Sequence, residues 1–210
     1  MRIIKASHEI LTPIGAAAIM KHIELCGRVC YKSEAKITDG SAEAFIDNIL
    51  SRGHGAVLEH FNITVKFICD RGVSHEIVRH RLASYCQEST RYCNYSKEGF
   101  GREITVIQPL FFEPNTPAWD TWQDACEAAE SAYFDLLEYG CTPQEARSVL
   151  PNSLKTEVVM TANIREWRHF LTLRTSPAAH PQMREVAIPL LRDFSSSMPA
   201  LFGDIAAEVL

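Results

Sequence analysis

The segment that most constrains this chain is a nine-residue run, Phe61-Asn-Ile-Thr-Val-Lys-Phe-Ile-Cys69. Ile63, Val65, Phe67 and Cys69 alternate with Asn62, Thr64 and Lys66, and β-branched residues are enriched, the pattern of a strand with one buried face. The flanking segments carry helical spacing instead. Over residues 13 to about 31, Ile14, Ala18, Leu25 and Val29 recur at helical intervals, and Pro13 suits a first helical position. Residues 41 to about 50 read as a second short helix, capped by Ser41 and ended near Gly53. Ser74 is placed to cap a helix from His75 to about residue 84. The 210 residues contain no internal repeat, low-complexity tract or linker-like Ser/Gly run. A mixed α and β protein in a single compact domain, residues 1–210, is therefore expected.

Downstream, residues 87–101 are polar and aromatic without a sustained period and read as an ordered loop. Residues 104–107 form a short strand closed by Pro109, and residues 117–139 a long helix ended by Gly140. Thr142-Pro143-Gln144-Glu145 is a capping box that opens a short helix stopping before Pro151. Residues 155–162 read as strand. A helix follows from Asn163 or Ile164 to about Leu173, and a last helical region after Pro181 is interrupted by Pro189 and Pro199.

Composition excludes several classes. Lys plus Arg total 21 against 26 Asp plus Glu, a net charge of −5, which argues against a basic nucleic-acid coat protein. No run approaches the roughly 18–20 apolar residues that span a bilayer. The start, MRIIKASHEILTPIG, has too short an apolar core for a signal peptide. Seven cysteines, an odd number without any C-x-x-C pair, fit free thiols in a cytoplasmic protein better than a disulfide scaffold or zinc ribbon. Dinucleotide-binding, P-loop and nucleophile-elbow motifs are absent. His75-Glu76-Ile77-Val78-Arg79 begins like a zinc-binding H-E-x-x-H, but Arg79 stands where the second ligand belongs, so no metal is expected.

The cations are unevenly composed: 14 are Arg and 7 are Lys. Arg suits planar, bidentate contact with phosphates and carboxylates. Two clusters concentrate it. The first runs from Arg79-His80-Arg81 to Gln87-Glu88-Ser89-Thr90-Arg91-Tyr92, beside apolar Ile77, Val78, Leu82 and Tyr85 where a solvated helix end would carry Lys and Glu. The second comprises Arg147, Asn163-Ile-Arg165-Glu-Trp167-Arg168-His169 and Arg174, with Arg165 and His169 on one helical face. Together they suit an anionic, ring-bearing small molecule.

Arg79-His80-Arg81, seven residues, then Ser89 resembles the RHRx7S signature of the flavin-dependent thymidylate synthases, the ThyX family. Four fixed residues recur by chance in roughly one chain per thousand of this length. Further matched segments lie in the family's order: Gly53-His54-Gly-Ala-Val-Leu-Glu59-His60, Ser89-Thr90-Arg91-Tyr92, Ala146-Arg147-x-x-Leu150-Pro151, and Asn163-x-Arg165 with Leu173-Arg174.

The resemblance implies an α+β fold in which long helices flank a small mixed or antiparallel sheet, assembled as a homotetramer with active sites at subunit interfaces. It implies methylation of dUMP to dTMP, with 5,10-methylenetetrahydrofolate as carbon donor and FAD-borne hydride from NADPH, and no protein Cys nucleophile. No nucleic-acid or membrane partner is expected. Residue by residue, FAD falls to His54, Arg79, His80, Arg81, Gln87, Asn163, Arg165 and His169. The nucleotide falls to Glu76, Arg79, Gln87, Glu88, Ser89, Thr90, Arg91, Arg147 and Arg174. Arg174 is the expected catalytic residue, favouring ionisation of the uracil ring. Three positions depart from the common pattern: His169 stands where many members have Asn, Glu76 where Gln is frequent, and Ala56 where some have a polar residue. Two other readings predict different behaviour. A nucleotide- or RNA-binding module predicts salt-steep, flavin-independent affinity, and a structural oligomer with a chance motif predicts no cofactor.

Overall fold

The structure, a computed structural model, describes all 210 residues. Its elements in chain order are β1 (Arg2–Ile4), β2 (Ser7–Ile10), α1 (Ala16–Arg28), α2 (Ser41–Ser51), β3 (Asn62–Asp70), α3 (Arg71–Ile77), β4 (Ala83–Gln87), β5 (Thr105–Ile107), α4 (Pro117–Glu138), α5 (Pro143–Ala146), β6 (Lys155–Asn163), α6 (Ile164–Thr175), α7 (Pro181–Ser197) and α8 (Pro199–Val209), with short 3-10 turns between some of them. β1 pairs with β5 in parallel, Ile3 opposite Val106, and a second sheet has the order β2-β3-β6-β4. Small sheets among many helices make an α+β fold.

The chain divides into two compact units. The first comprises Met1–Ser7, Phe67–Arg79 and Cys86–Val159; the second comprises His8–Lys66, His80–Tyr85 and Met160–Leu210. In the first unit, Ile104, Val106, Cys126, Tyr133, Ala146 and Leu154 form a dry cluster beneath α4. In the second, Trp167, Phe170, Phe194 and Phe202 stack edge-on and tilted, with adjacent centroids 5.0 to 5.6 Å apart, where α6, α7 and α8 meet.

Four local expectations change, each for a physical reason. The helix expected from His75 starts at Arg71, because Asp70 Oδ1 accepts the Val73 amide at 2.7 Å and so caps it earlier. That helix stops at Ile77, and Ala83–Gln87 continue as β4 with alternating burial rather than as helix and loop. Ser41 does not cap α2. Its hydroxyl donates to the fully buried Glu24 carboxylate at 2.8 Å, and Gly40, in the left-handed region, precedes the helix. Pro189 lies inside α7 without interrupting it. The buried stripe Val186, Ala187, Leu190 and Leu191 stabilises the helix by more than the roughly 3 kcal/mol an internal proline costs. Two N-terminal strands, β1 and β2, were not evident from the sequence.

Gly27 in α1 marks a close approach. A Cβ there would meet Phe45 Cζ at 2.5 Å and Val57 Cγ1 at 2.8 Å. Gly27→Val is expected to destabilise the fold by about 1–3 kcal/mol through overpacking, read as a lower thermal midpoint with the same far-UV spectrum.

Candidate functional site

The boundary between the two units falls between Arg79 and His80, so the Arg-His-Arg motif contributes to both. In the second unit α6 supplies most of the reactive groups. Asn163 caps it, its Oδ1 accepting the Glu166 amide at 2.9 Å. Glu166, Phe170 and Arg174 then recur at i, i+4 and i+8 on one face. His80 packs on that face and is 4% exposed. Its Nδ1 lies 2.9 Å from Glu166 Oε1, and its Nε2 accepts the Arg174 Nε–H at 3.0 Å. Its ring centroid is 4.8 Å from Phe170 and 5.5 Å from His169. The Tyr85 hydroxyl donates to the His80 carbonyl oxygen at 2.6 Å, fixing the backbone below the ring.

Burial holds the His80 imidazole below its ordinary value of 6.5; the Glu166 contact opposes this and the Arg174 and His169 charges reinforce it. Between that depressed value and 6.5 the unfolded chain binds a proton that the folded chain does not. Stability therefore rises with pH across this window and falls on acidification. His80, Glu166 and His169 present donor atoms within 4.8 Å of one another, a set with metal-binding composition. The Arg174 guanidinium seated on the His80 ring opposes a cation there, and the geometry is that of a hydrogen-bonded relay.

The other flavin-assigned residues of this unit are polar and, apart from the half-buried Asn163, exposed. His54 precedes a 3-10 turn, Gly55–His60. Arg165 pairs with Glu59 at 2.6 Å. Its guanidinium lies against Gly55, where a Cβ would come within 3.0 Å of Arg165 Nε. Arg81 and His169 are exposed, and Asn163 is engaged as the α6 cap. These cationic and hydrogen-bonding groups, with a glycine leaving room beside one of them, suit a phosphate-bearing cofactor.

In the first unit Thr90, buried, accepts a hydrogen bond from Arg147 Nη1 at 3.2 Å. Both line a cavity of about 510 Å³ with Arg71, His75, Gln144, Asn152 and neighbours. Arg71 Nη1 is buried and makes no hydrogen bond. A buried guanidinium N–H without a partner is costly, and an oxyanion in the cavity would satisfy it. Gln87 donates to Ser74 Oγ at 3.1 Å and Thr156 Oγ1 at 3.3 Å. Glu88 alternates to the other strand face, where it accepts from Tyr95 at 3.1 Å and Lys155 at 2.8 Å. Ser89 Oγ accepts the Arg91 amide at 3.4 Å. The Arg91 guanidinium lies 5.4 Å from the centroid of the Tyr92 ring. Glu76 is half-buried on α3, and Arg79 is exposed just beyond that helix.

The structure thus gathers Thr90 with Arg147, and His80 with His169 and Arg174, while Glu88 is occupied elsewhere. Arg71, His75 and Glu166 were missed by sequence reasoning. Arg71 was detectable in the Arg excess, at a strand–helix junction. His75 was set aside with the failed zinc motif, and Glu166 carried no sequence signal because its partner is 86 residues away.

Comparison with known proteins agrees with this picture. The family described as "Thymidylate synthase complementing protein" matches residues 17–200. A flavin-dependent thymidylate synthase of Geobacter sulfurreducens is 34% identical over 87% of this chain and 80% of its own length. Proteins of the same description from Mycobacteroides abscessus and Corynebacterium glutamicum are 34% and 32% identical, over 90% and 93% of this chain and 80% and 82% of theirs. The chain belongs to the flavin-dependent thymidylate synthase family.

Proposed function

We propose that this protein methylates dUMP to dTMP, taking the carbon from 5,10-methylenetetrahydrofolate and the reducing hydride, through FAD, from NADPH. The observation that carries the reading is the Thr90–Arg147 pair, lining with Arg71, whose Nη1 is unsatisfied, a cavity of nucleotide size that Thr90 enters directly after the RHRx7S segment. Arg147, Arg71 and Thr90 hold the nucleotide phosphate, joined by Ser89 and Arg91. Arg79, Gln87 and Glu76 complete the nucleotide contacts. Glu88, tied to Lys155 and Tyr95, acts by bracing the strand end that carries Gln87.

Arg174 stabilises the negative charge that develops on the uracil ring as C5 becomes nucleophilic. His54, Arg79, Arg81, Gln87, Arg165 and His169 hold FAD, with Asn163 and His80 shaping its surroundings. The flavin, when bound, supplies the hydride that completes the methyl group. No protein thiol is required. Burial pushes the Cys69 thiol up to about 12 and also raises Cys93 and Cys126, all poor thiolates at neutral pH. Cys86 alternates to the opposite strand face from Gln87.

The whole chain, residues 1–210, acts as one synthase domain. Leu82 and Leu173, exposed beside Arg81 and Arg174, suit burial against further copies in a homotetramer. No helix is long and apolar enough to cross a membrane. A cytoplasmic enzyme without nucleic-acid partners fits the charge and the free thiols.

The visible spectrum of the purified protein is the first test. Flavin absorption, bleached by NADPH in the presence of dUMP, is expected; colourless protein that binds no added FAD and instead binds single strands with steep salt dependence would overturn the reading. The phosphate subsite has its own test. Arg71→Ala and Arg147→Ala are each expected to weaken dUMP binding by about 10–100-fold, the size of one charged hydrogen bond, and to leave deoxyuridine binding unchanged by calorimetry. Ser89→Ala is expected to retain measurable methylation, since its hydroxyl contacts only the Arg91 amide and no general base.

A further inference from the structure

Arg174 rests on an imidazole ring, and that ring rests on a carboxylate. A guanidinium Nε carries a hydrogen and no lone pair, so His80 Nε2 must be the acceptor in the 3.0 Å contact with Arg174. The neutral ring then carries its proton on Nδ1, which faces Glu166 Oε1 at 2.9 Å. Only one proton arrangement satisfies both contacts. The His80 and Glu166 side chains are 3% and 7% exposed, so water does not offer an alternative partner. Neither contact is incidental to α6. Glu166 is fixed by the first turn, where Asn163 caps its amide, and Arg174 by the last.

We infer that Glu166 is a positioning residue for Arg174: it locks His80 in the Nδ1–H tautomer and, through the bare Nε2, aims the guanidinium. This rests on the reading that Arg174 acts on the uracil ring. Without the Glu166 carboxylate the ring is free to carry its proton on Nε2. That N–H would oppose the Arg174 N–H, two donors face to face, and the guanidinium would swing away. Misplacement of a catalytic group by about 1 Å is enough to cost about 10²-fold in rate.

The relay also gives the reaction an acidic limb. The charged and titratable groups facing the His80 ring are Glu166, His169 and Arg174 on α6, with Tyr85 on β4. Protonation places a hydrogen on Nε2 and displaces Arg174, so activity is lost as pH falls through the His80 value, which lies below 6.5. Replacing the carboxylate by an amide removes the charge that favours the protonated ring, so Glu166→Gln is expected to move this limb to lower pH. An acid limb set by a group other than His80 would stay in place.

The test uses full-length, flavin-loaded protein labelled with 15N-histidine, in which long-range proton–nitrogen correlation reads the tautomer of His80. The wild type and Glu166→Gln, whose amide oxygen accepts the same N–H, are expected to show Nδ1–H with a bare Nε2. Glu166→Leu is expected to show Nε2–H and to lose about 10²-fold in kcat with little change in KM for dUMP, while Glu166→Gln recovers most of the loss. An Nε2–H tautomer in the wild type overturns the inference, and so does an unshifted acid limb in Glu166→Gln. Neither result depends on whether Glu166→Leu folds. An Arg174→Ala enzyme of undiminished activity overturns the underlying reading instead, and the wild-type His80 spectrum distinguishes that failure from this one.

Discussion

Arg174→Ala is expected to lose about 10²–10³-fold in kcat, equivalent to about 3–4 kcal/mol of transition-state stabilisation, with a far smaller change in nucleotide affinity. Arg174 is half-buried on α6, and its Nε is committed to the His80 ring, so the guanidinium is held rather than free to follow solvent. A fixed positive group is already oriented when negative charge develops on a substrate ring, so little reorganisation is required at the barrier. Arg174→Lys should recover little, because a flexible ammonium cannot both bond the imidazole through a planar edge and face the substrate. Single-turnover formation of dTMP separates this from a binding defect. Residual methylation within a few-fold of wild type would assign the uracil chemistry elsewhere.

Trp167→Ala should be the most destabilising single change, by about 3–5 kcal/mol. Trp167 is fully buried, stacks edge-on with Phe170 and Phe194, and donates its indole N–H to the Ile63 carbonyl at 3.0 Å. Truncation empties a large volume between α6 and α7 and also leaves that β3 carbonyl without its donor. Trp167→Phe keeps most of the packing and is expected to cost about 1–2 kcal/mol, close to the lost hydrogen bond and part of the ring. The contrast should appear in urea midpoints at unchanged slope. Because Phe170 also walls the His80 ring, partial unfolding around Trp167 should lower flavin retention before the first unit unfolds.

Much of this was legible in the sequence for identifiable reasons. β3 announced itself by period-two alternation, and the observed burial of Ile63, Val65 and Phe67 follows it; residues 155–162 also read as strand, and β6 buries Thr156, Val158 and Met160 in alternation. The Thr142–Glu145 box is local chemistry that no tertiary contact overrides. What was not legible depends on partners distant in the chain. Ser41 looks like a cap until the buried Glu24 claims its hydroxyl, and Ser74 looks like one until Asp70 takes the same task three residues from the Val73 amide. Residues 83–87 lack enough alternation to be read as strand and become one by pairing in the sheet. The Arg residues of the candidate site were visible as types in a pattern. Their roles were not, since Arg147 is distinguished from Arg168 only by what each touches. Arg147 reaches Thr90, whereas Arg168 is tied to Asp204 at 2.6 Å on the helix's other side.

Nucleotide analysis of a reaction containing the flavin-loaded protein, dUMP, 5,10-methylenetetrahydrofolate and NADPH tests whether the protein makes dTMP. The expected result is dTMP, formed only when flavin is present and each co-substrate is supplied. Unchanged dUMP from fully flavin-loaded, folded protein under those conditions would contradict it.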